Sequence, residues 1–119
     1  MRTHRSLKAW ITANKLARQG IRLARLHWKP YASGAFSQLQ RASLSAQLNI
    51  AEGYSLGSRT QFRHYLRIAY GSAVEAGEIL ELLADEGVLS ATDVAEAREA
   101  AGLCQRLLLG LLHRMRQPA

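Results

Sequence analysis

An all-α fold, an antiparallel up-down-up-down four-helix bundle, is what the sequence predicts, and three observations carry that prediction. Apolar residues recur at steps of three and four in four separate blocks, the period of an amphipathic helix. Clusters of glycine, proline and serine punctuate the chain between those blocks. Alanine and leucine dominate, β-branched residues are few, and the only prolines are Pro30 and Pro118, a composition that favours helix by propensity. At 119 residues the chain is expected to be one domain, 1–119, with a core but little to spare.

The first helix, roughly 5–28, has the core row Leu7, Ile11, Asn14, Ala17, Ile21, Ala24 and Trp28, with Trp10 beside it. Pro30 and Ser33-Gly34 are expected to end it. The second, roughly 36–53, runs Phe36, Leu39, Ala42/Ser43, Ala46 and Ile50 and stops at Gly53, with Ser55-Leu56-Gly57 as a short turn. The third, roughly 59–85, opens on a capping box from Ser58 to Gln61, in which a hydroxyl accepts from a free backbone N–H and the amide reaches back. Its row is Phe62, Leu66, Ala69, Ala73, Ala76, Leu80 and Leu83, and Asp85-Glu86-Gly87 is a glycine stop. The fourth, roughly 91–116, has a box-like start at Ser90 to Asp93 and the row Val94, Ala97, Ala101, Cys104, Leu108, Leu111 and Met115. Rows with alternating steps of three and four suit near-antiparallel packing, and short links make sequential helices antiparallel neighbours.

Small residues crowd the middle of the chain: Ala42, Ser43, Ser45, Ala46, Gly71, Ser72, Ala73, Ala76 and Gly77. A mid-helix glycine costs about 1 kcal/mol against alanine, so close approach of the second and third helices is expected to offset it. A second apolar set lies outside the core rows: Tyr65, Ile68, Ile79 and Leu82 on the third helix, and Leu103, Leu107 and Leu112 on the fourth. A face broader than one seam buries against something else, and a homo-oligomer is the simplest partner.

Net charge is +7, unevenly spread. Residues 1–70 carry twelve Lys/Arg against one acid, Glu52, which makes +11; residues 71–119 carry four Arg against eight acids, which makes −4. An Arg-rich, acid-poor start can read as an organelle presequence, but here the pattern continues as a core-forming helix. No apolar secretory segment is read at the N-terminus, and Leu107 to Leu112 falls far short of the roughly 20 residues a membrane span needs, so no membrane partner is expected. Cys104 is the lone cysteine, which points to a buried thiol in a reducing cytoplasm.

The run Arg41-Ala42-Ser43-Leu44-Ser45-Ala46-Gln47-Leu48-Asn49-Ile50-Ala51-Glu52-Gly53, followed by Ser58 to Phe62 and Leu66 to Ser72, resembles the signature of the bacterial four helix bundle protein family. That family includes the ribosomal RNA intervening-sequence proteins and, more distantly, the accessory protein of diversity-generating retroelements. The match is densest from Leu39 to Leu83, and its marker positions are Arg41, Ser45, Asn49, Glu52, Gly53, Gly71, Ser72 and Glu75. The resemblance implies a four-helix bundle assembled into a ring-shaped homo-oligomer, a pentamer favoured, in a family mostly without an assigned biochemical role. Ser45-Ala46-Gln47 stands where relatives often carry a proline, so the second helix is expected to be straighter.

Asn49 and Glu52 share a helix face and are expected to tie the end of the second helix to the start of the third, by capping backbone N–H groups or by pairing with Arg41 or Arg59. Glu52 and Glu75 as a carboxylate pair would suggest acid–base or metal chemistry, yet the residues three positions on are Ser55 and Glu78, not the histidines of a di-metal bundle. His4, His27, His64 and His113 have no metal-ligand spacing between them. No cofactor, no metal and no enzymatic activity are expected.

Lys15, Arg18, Arg22, Arg25 and Lys29 form one stripe along the first helix, with acids of the fourth helix as available partners. Arg59, Arg63 and Arg67 stand one turn apart where the third helix begins, against its macrodipole. In an up-down-up-down bundle one end gathers Arg2, Arg5, Lys8, Arg59, Arg63, Arg67, Arg114 and Arg116, with Glu52 as the sole acid. Such a surface attracts polyanions through counterion release, RNA above all, or an acidic protein through the same field.

Overall fold

The computed structural model describes residues 3–116, less the side chain of Ser6. A 3-10 turn at His4–Ser6 leads into α1 (Lys8–His27). A second 3-10 turn at Pro30–Ala32 leads into α2 (Ser33–Ser55), and α3 (Arg59–Asp85) and α4 (Ala91–Arg114) follow. Each helix packs on its two sequence neighbours, with α4 closing back on α1, so the bundle is up-down-up-down and α1 lies diagonally across from α3. The rod measures 48 × 21 × 21 Å.

Local chemistry sets the ends. Pro30 opens the second 3-10 turn, and Ser33 and Gly34 begin α2, where they were expected to finish the preceding helix. Ser58 Oγ accepts from Gln61 N at 3.3 Å, half of the expected box. Ser90 and Asp93 form the full reciprocal box at 3.0 and 3.1 Å. Gly87, at φ +72, turns the chain after α3, and Val88 N donates to Leu83 O at 2.9 Å, a conformation and bond that glycine makes available.

The core rows of α2 and α3 lie as the periodicity predicts, with Phe36, Leu39, Ile50, Leu66, Leu80 and Leu83 buried. Each such side chain contributes about 1.5–3 kcal/mol. The row predicted for α1 is only partly right: Trp10, Ala17 and Ala24 are buried, but Ile11, Ile21 and Trp28 are exposed. Its buried face is Ala9, Trp10, Ala13, Leu16, Ala17, Gly20, Leu23 and Ala24, while Ile11 and Ile21 stand 53% and 44% exposed. The reason is backbone proximity: a methyl group on Gly20 would run into Ser43 Oγ, so the small face of α1 lies inward and the bulkier residues are left outside.

Four of the seven apolar residues expected on an outer face are wholly or partly buried. Leu112 is 9% exposed and part of the core, because it continues the inward i+4 row from Cys104 and Leu108 while Leu111 is half-buried. Ile79 and Leu107 are half-buried against the core. Tyr65 is half-buried beside Gly53, whereas Ile68, Leu82 and Leu103 remain exposed.

Among the described residues, at least one side-chain hydrogen bond crosses each of the four seams. Asn14 donates to Gln47 between α1 and α2, and the Ser45 and Ser72 hydroxyls meet at 2.8 Å between α2 and α3. Gln105 donates to Ala73 O between α3 and α4, and Gln19 donates to Glu96 between α1 and α4.

Candidate nucleic-acid interface

The start of α3 and the end of α4 are neighbours because consecutive helices run antiparallel. Arg59, Arg63 and Arg67, one turn apart, face Met115 and Arg116 across this junction. Arg59 bridges it directly, its Nη2 donating to Met115 O at 3.0 Å. Together with Thr60 and His64 these residues line an open cavity of about 500 Å³. The cavity continues along the groove past Tyr70 and Leu109.

The electrostatics are one-sided. Among the described residues, Arg63, Arg67, Arg114 and Arg116 make no ion pair. Arg63 Nε is buried without a hydrogen-bond partner, a charged donor held out of water. The first turn of α3 holds no acid, so its backbone dipole adds to the positive field there.

The basic end predicted from topology is therefore divided. Arg59, Arg63, Arg67, Arg114 and Arg116 share the α3–α4 junction. Arg5, in the first 3-10 turn, and Lys8 stand at the start of the diagonal helix, with the Arg5 guanidinium 4.9 Å from the centre of the Trp10 ring. Arg2 lies outside the described residues. The α1 stripe of Lys15, Arg18, Arg22, Arg25 and Lys29 is exposed throughout. Its expected pairing with α4 acids does not form among the described residues: Glu96 accepts from Gln19, and Asp93 lies 3.9 Å from His27 instead. Residues facing outward at successive turns of α1 point away from the seam where those acids lie.

The signature positions split in two. Ser45, Asn49 and Ser72 converge, with Asn49 Nδ2 donating to Ser45 O and Oγ at 2.8 and 3.0 Å. Gly53 is buried where α2 meets α3; a methyl group there would stand 2.7 Å from Tyr65 Cβ. Arg41, Glu52, Gly71 and Glu75 face outward. Glu52 does not tie the helices together and pairs with neither Arg41 nor Arg59 among the described residues, because it points away from the α2–α3 seam that Asn49 occupies. Gly71 does not mediate close packing either, since a methyl group there would meet nothing within 4 Å.

A feature the sequence did not disclose lies beside the arginine cavity. A second cavity, about 440 Å³, is lined by Tyr54, Phe62, Leu111 and Met115 with Arg59 and Arg114. The rows of arginines were legible as a spacing, but a pocket built from the ends of three helices is not.

Fold and surface define a small antiparallel four-helix-bundle protein with an arginine-lined groove at one end. The chain belongs to the 23S rRNA-intervening sequence protein family, whose sequence profile matches residues 5–110. A similar solved structure is that of a protein with unknown function from the S23 ribosomal protein family of Bacteroides thetaiotaomicron. It superposes with a TM-score of 0.78 at 20% identity, covering 87% of this chain and 97% of that one. No curated protein matches the chain.

Proposed function

We propose that this protein is a non-enzymatic scaffold of the cytoplasm that binds nucleic acid, RNA by preference, through the α3–α4 groove, and that it acts as a homo-oligomer. The observation that carries this is the cluster of arginines around one cavity, where Arg63, Arg67 and Arg116 make no ion pair among the described residues. Four or five phosphates bound there would release condensed counterions, which is where affinity for a polyanion comes from. The family's description by the 23S rRNA intervening sequence makes RNA the first polyanion to test.

The second copy is assigned to the outer face of α2 and α3. Leu48 and Ile68 are 53% and 40% exposed and lie within one turn of the Ser45–Ser72 bridge, so they share a surface with Leu44. Arg41, Glu52 and Glu75 around them carry both signs of charge, which suits contact with another copy of the same face or its neighbour. A ring, with five copies favoured, would repeat the arginine groove around an axis.

Fluorescence anisotropy with a labelled structured RNA and a matched duplex DNA, at about 50 and 200 mM salt, tests the function. Binding should fall steeply with salt. In the variant carrying Arg59→Gln, Arg63→Gln and Arg67→Gln the slope of log K against log salt should drop by about one unit per arginine, with the helical signal retained. Unchanged affinity in that variant would overturn the groove as the nucleic-acid surface and turn the search to an acidic protein partner.

A further inference from the structure

We propose that the groove takes an unpaired nucleotide, with its base in the cavity of Tyr54 and Phe62 and its phosphates in the arginine cavity beside it, so that the ligand is single-stranded and not duplex. This rests on the nucleic-acid reading above and specifies the form of ligand.

Two cavities of opposite chemistry share a wall. The one of about 440 Å³ and the one of about 500 Å³ both include Arg59 and Met115, so one ligand can occupy both. Each lies within the roughly 300–1,000 Å³ typical of small-molecule sites. In the first, Tyr54, Phe62, Leu111 and Met115 supply ring and aliphatic surface, and Gly53 and Gly57 add no side chain that would fill it. In the second, Arg63, His64, Arg67 and Arg116 supply donors and positive charge.

The aromatic geometry suits a planar guest. Tyr54 and Phe62 meet edge to face, with centroids 5.8 Å apart and planes at 86°, so the ring that presents its edge keeps both of its faces clear of the other ring. Both are only half-buried although they are large apolar groups beside a packed core. A base stacked there would complete their burial, while Arg114 at the cavity edge can lie over its π-face. Arg63 and Arg67 line the neighbouring cavity, where their guanidinium groups can donate to the attached phosphate.

A duplex offers phosphates but keeps its bases stacked inside, so it can use the arginines and not the ring cavity. An unpaired nucleotide uses both, and this difference makes the inference testable separately from general RNA binding.

The test is titration of an unstructured mixed-sequence RNA strand of about 12 nucleotides, labelled at its 3′ end, alone and annealed to its complement at one salt concentration. The strand should bind about tenfold or more tighter than the duplex, the size of effect that stacking of one base carries. Tyr54→Ala and Tyr54→Leu should abolish that preference and leave duplex affinity and salt slope unchanged; Tyr54→Phe should keep it. Tyr54→Leu retains apolar bulk and guards against a folding defect in the alanine variant, with thermal melting as the check. The pair Arg63→Gln and Arg67→Gln should weaken both ligands. Equal affinity for strand and duplex, with arginine dependence intact and no effect at Tyr54, would overturn this inference and leave the nucleic-acid reading standing. Failure of both RNAs to bind at low salt would overturn this inference and the nucleic-acid reading together.

Discussion

Gly53 and Gly71 belong to the same signature stretch and answer to different surroundings. At Gly53 a Cβ would stand 2.7 Å from Tyr65 Cβ and 3.3 Å from Phe62 Cδ1. Alanine there gains about 1 kcal/mol of helix propensity but must push α2 away from a Cβ rooted in the α3 backbone, an overpacking cost of about 1–3 kcal/mol. Gly53→Ala should therefore lower stability by about 1 kcal/mol. Gly71→Ala, with open space around it, should raise it by about 0.5–1 kcal/mol. Urea unfolding of the two variants side by side decides this. Cys104 makes a second prediction at this scale. Burial pushes its thiol up to about 12, from an ordinary 9.0. A folded-state value above the unfolded one stabilises the fold fully below pH 9.0, and that contribution is lost as pH rises toward 12. At pH 8 the native thiol should resist a thiol reagent that labels the unfolded chain promptly.

At the scale of the helix, ends were written more plainly than faces. Ser90 and Asp93 show why: a cap involves residues three apart, so its chemistry is complete within the local sequence. The carboxyl of Asp93 is held below its ordinary 3.8 by the Ser90 backbone N–H, then by the Ser90 hydroxyl, with a smaller contribution from His27. A lowered folded-state value means that stabilisation is present above pH 3.8 and is lost as pH falls through the folded value. Ser90→Ala should cost about 0.5–2 kcal/mol at neutral pH. The gap between wild type and variant should narrow as pH falls below 3.8 and through the folded value, read by thermal melting across pH. The face of α1 was harder to read. Ile11 and Ile21 satisfied the period as well as the true inward row did. What rotated the helix was the approach of Gly20 to Ser43, a contact between residues of different helices. The seam bonds Asn14–Gln47, Ser45–Ser72, Gln105–Ala73 and Gln19–Glu96 belong to the same class of information. They specify how one helix slides against the next, which an apolar stripe alone leaves loose.

At the scale of the whole molecule, two surfaces lie on different helix seams. The arginine groove occupies the α3–α4 junction, while Leu44, Leu48 and Ile68 gather on the outer face of α2 and α3. If the second is where copies meet, Leu48→Asp together with Ile68→Asp should reduce the mass in solution to that of one chain, 13.2 kDa. Multi-angle light scattering would show it. Groove binding to a short RNA should survive this at the level of one subunit, while avidity for long RNA should fall. A wild-type mass of one chain would overturn the self-assembly reading.

The sequence by itself determined the class of fold, the number and order of helices, most of their ends and the inward faces of α2, α3 and most of α4. Those features depend on propensity, period and caps, which act over a few residues. It also disclosed the charge asymmetry, because charge is carried by residue type. Tertiary structure decided the rotation of α1 and the burial of Leu112. It separated Arg5 from Arg59, although both lie at the same end of the bundle, because α1 and α3 are diagonal. It left Glu52 solvent-facing while Asn49 joined the Ser45–Ser72 bridge. It also built the paired cavities from Tyr54 and Phe62, Arg63 and Arg67, and Met115 and Arg116. Each of these depends on distances between residues far apart in the chain, which are set only when the helices pack and close approach at small residues fixes their rotation and register.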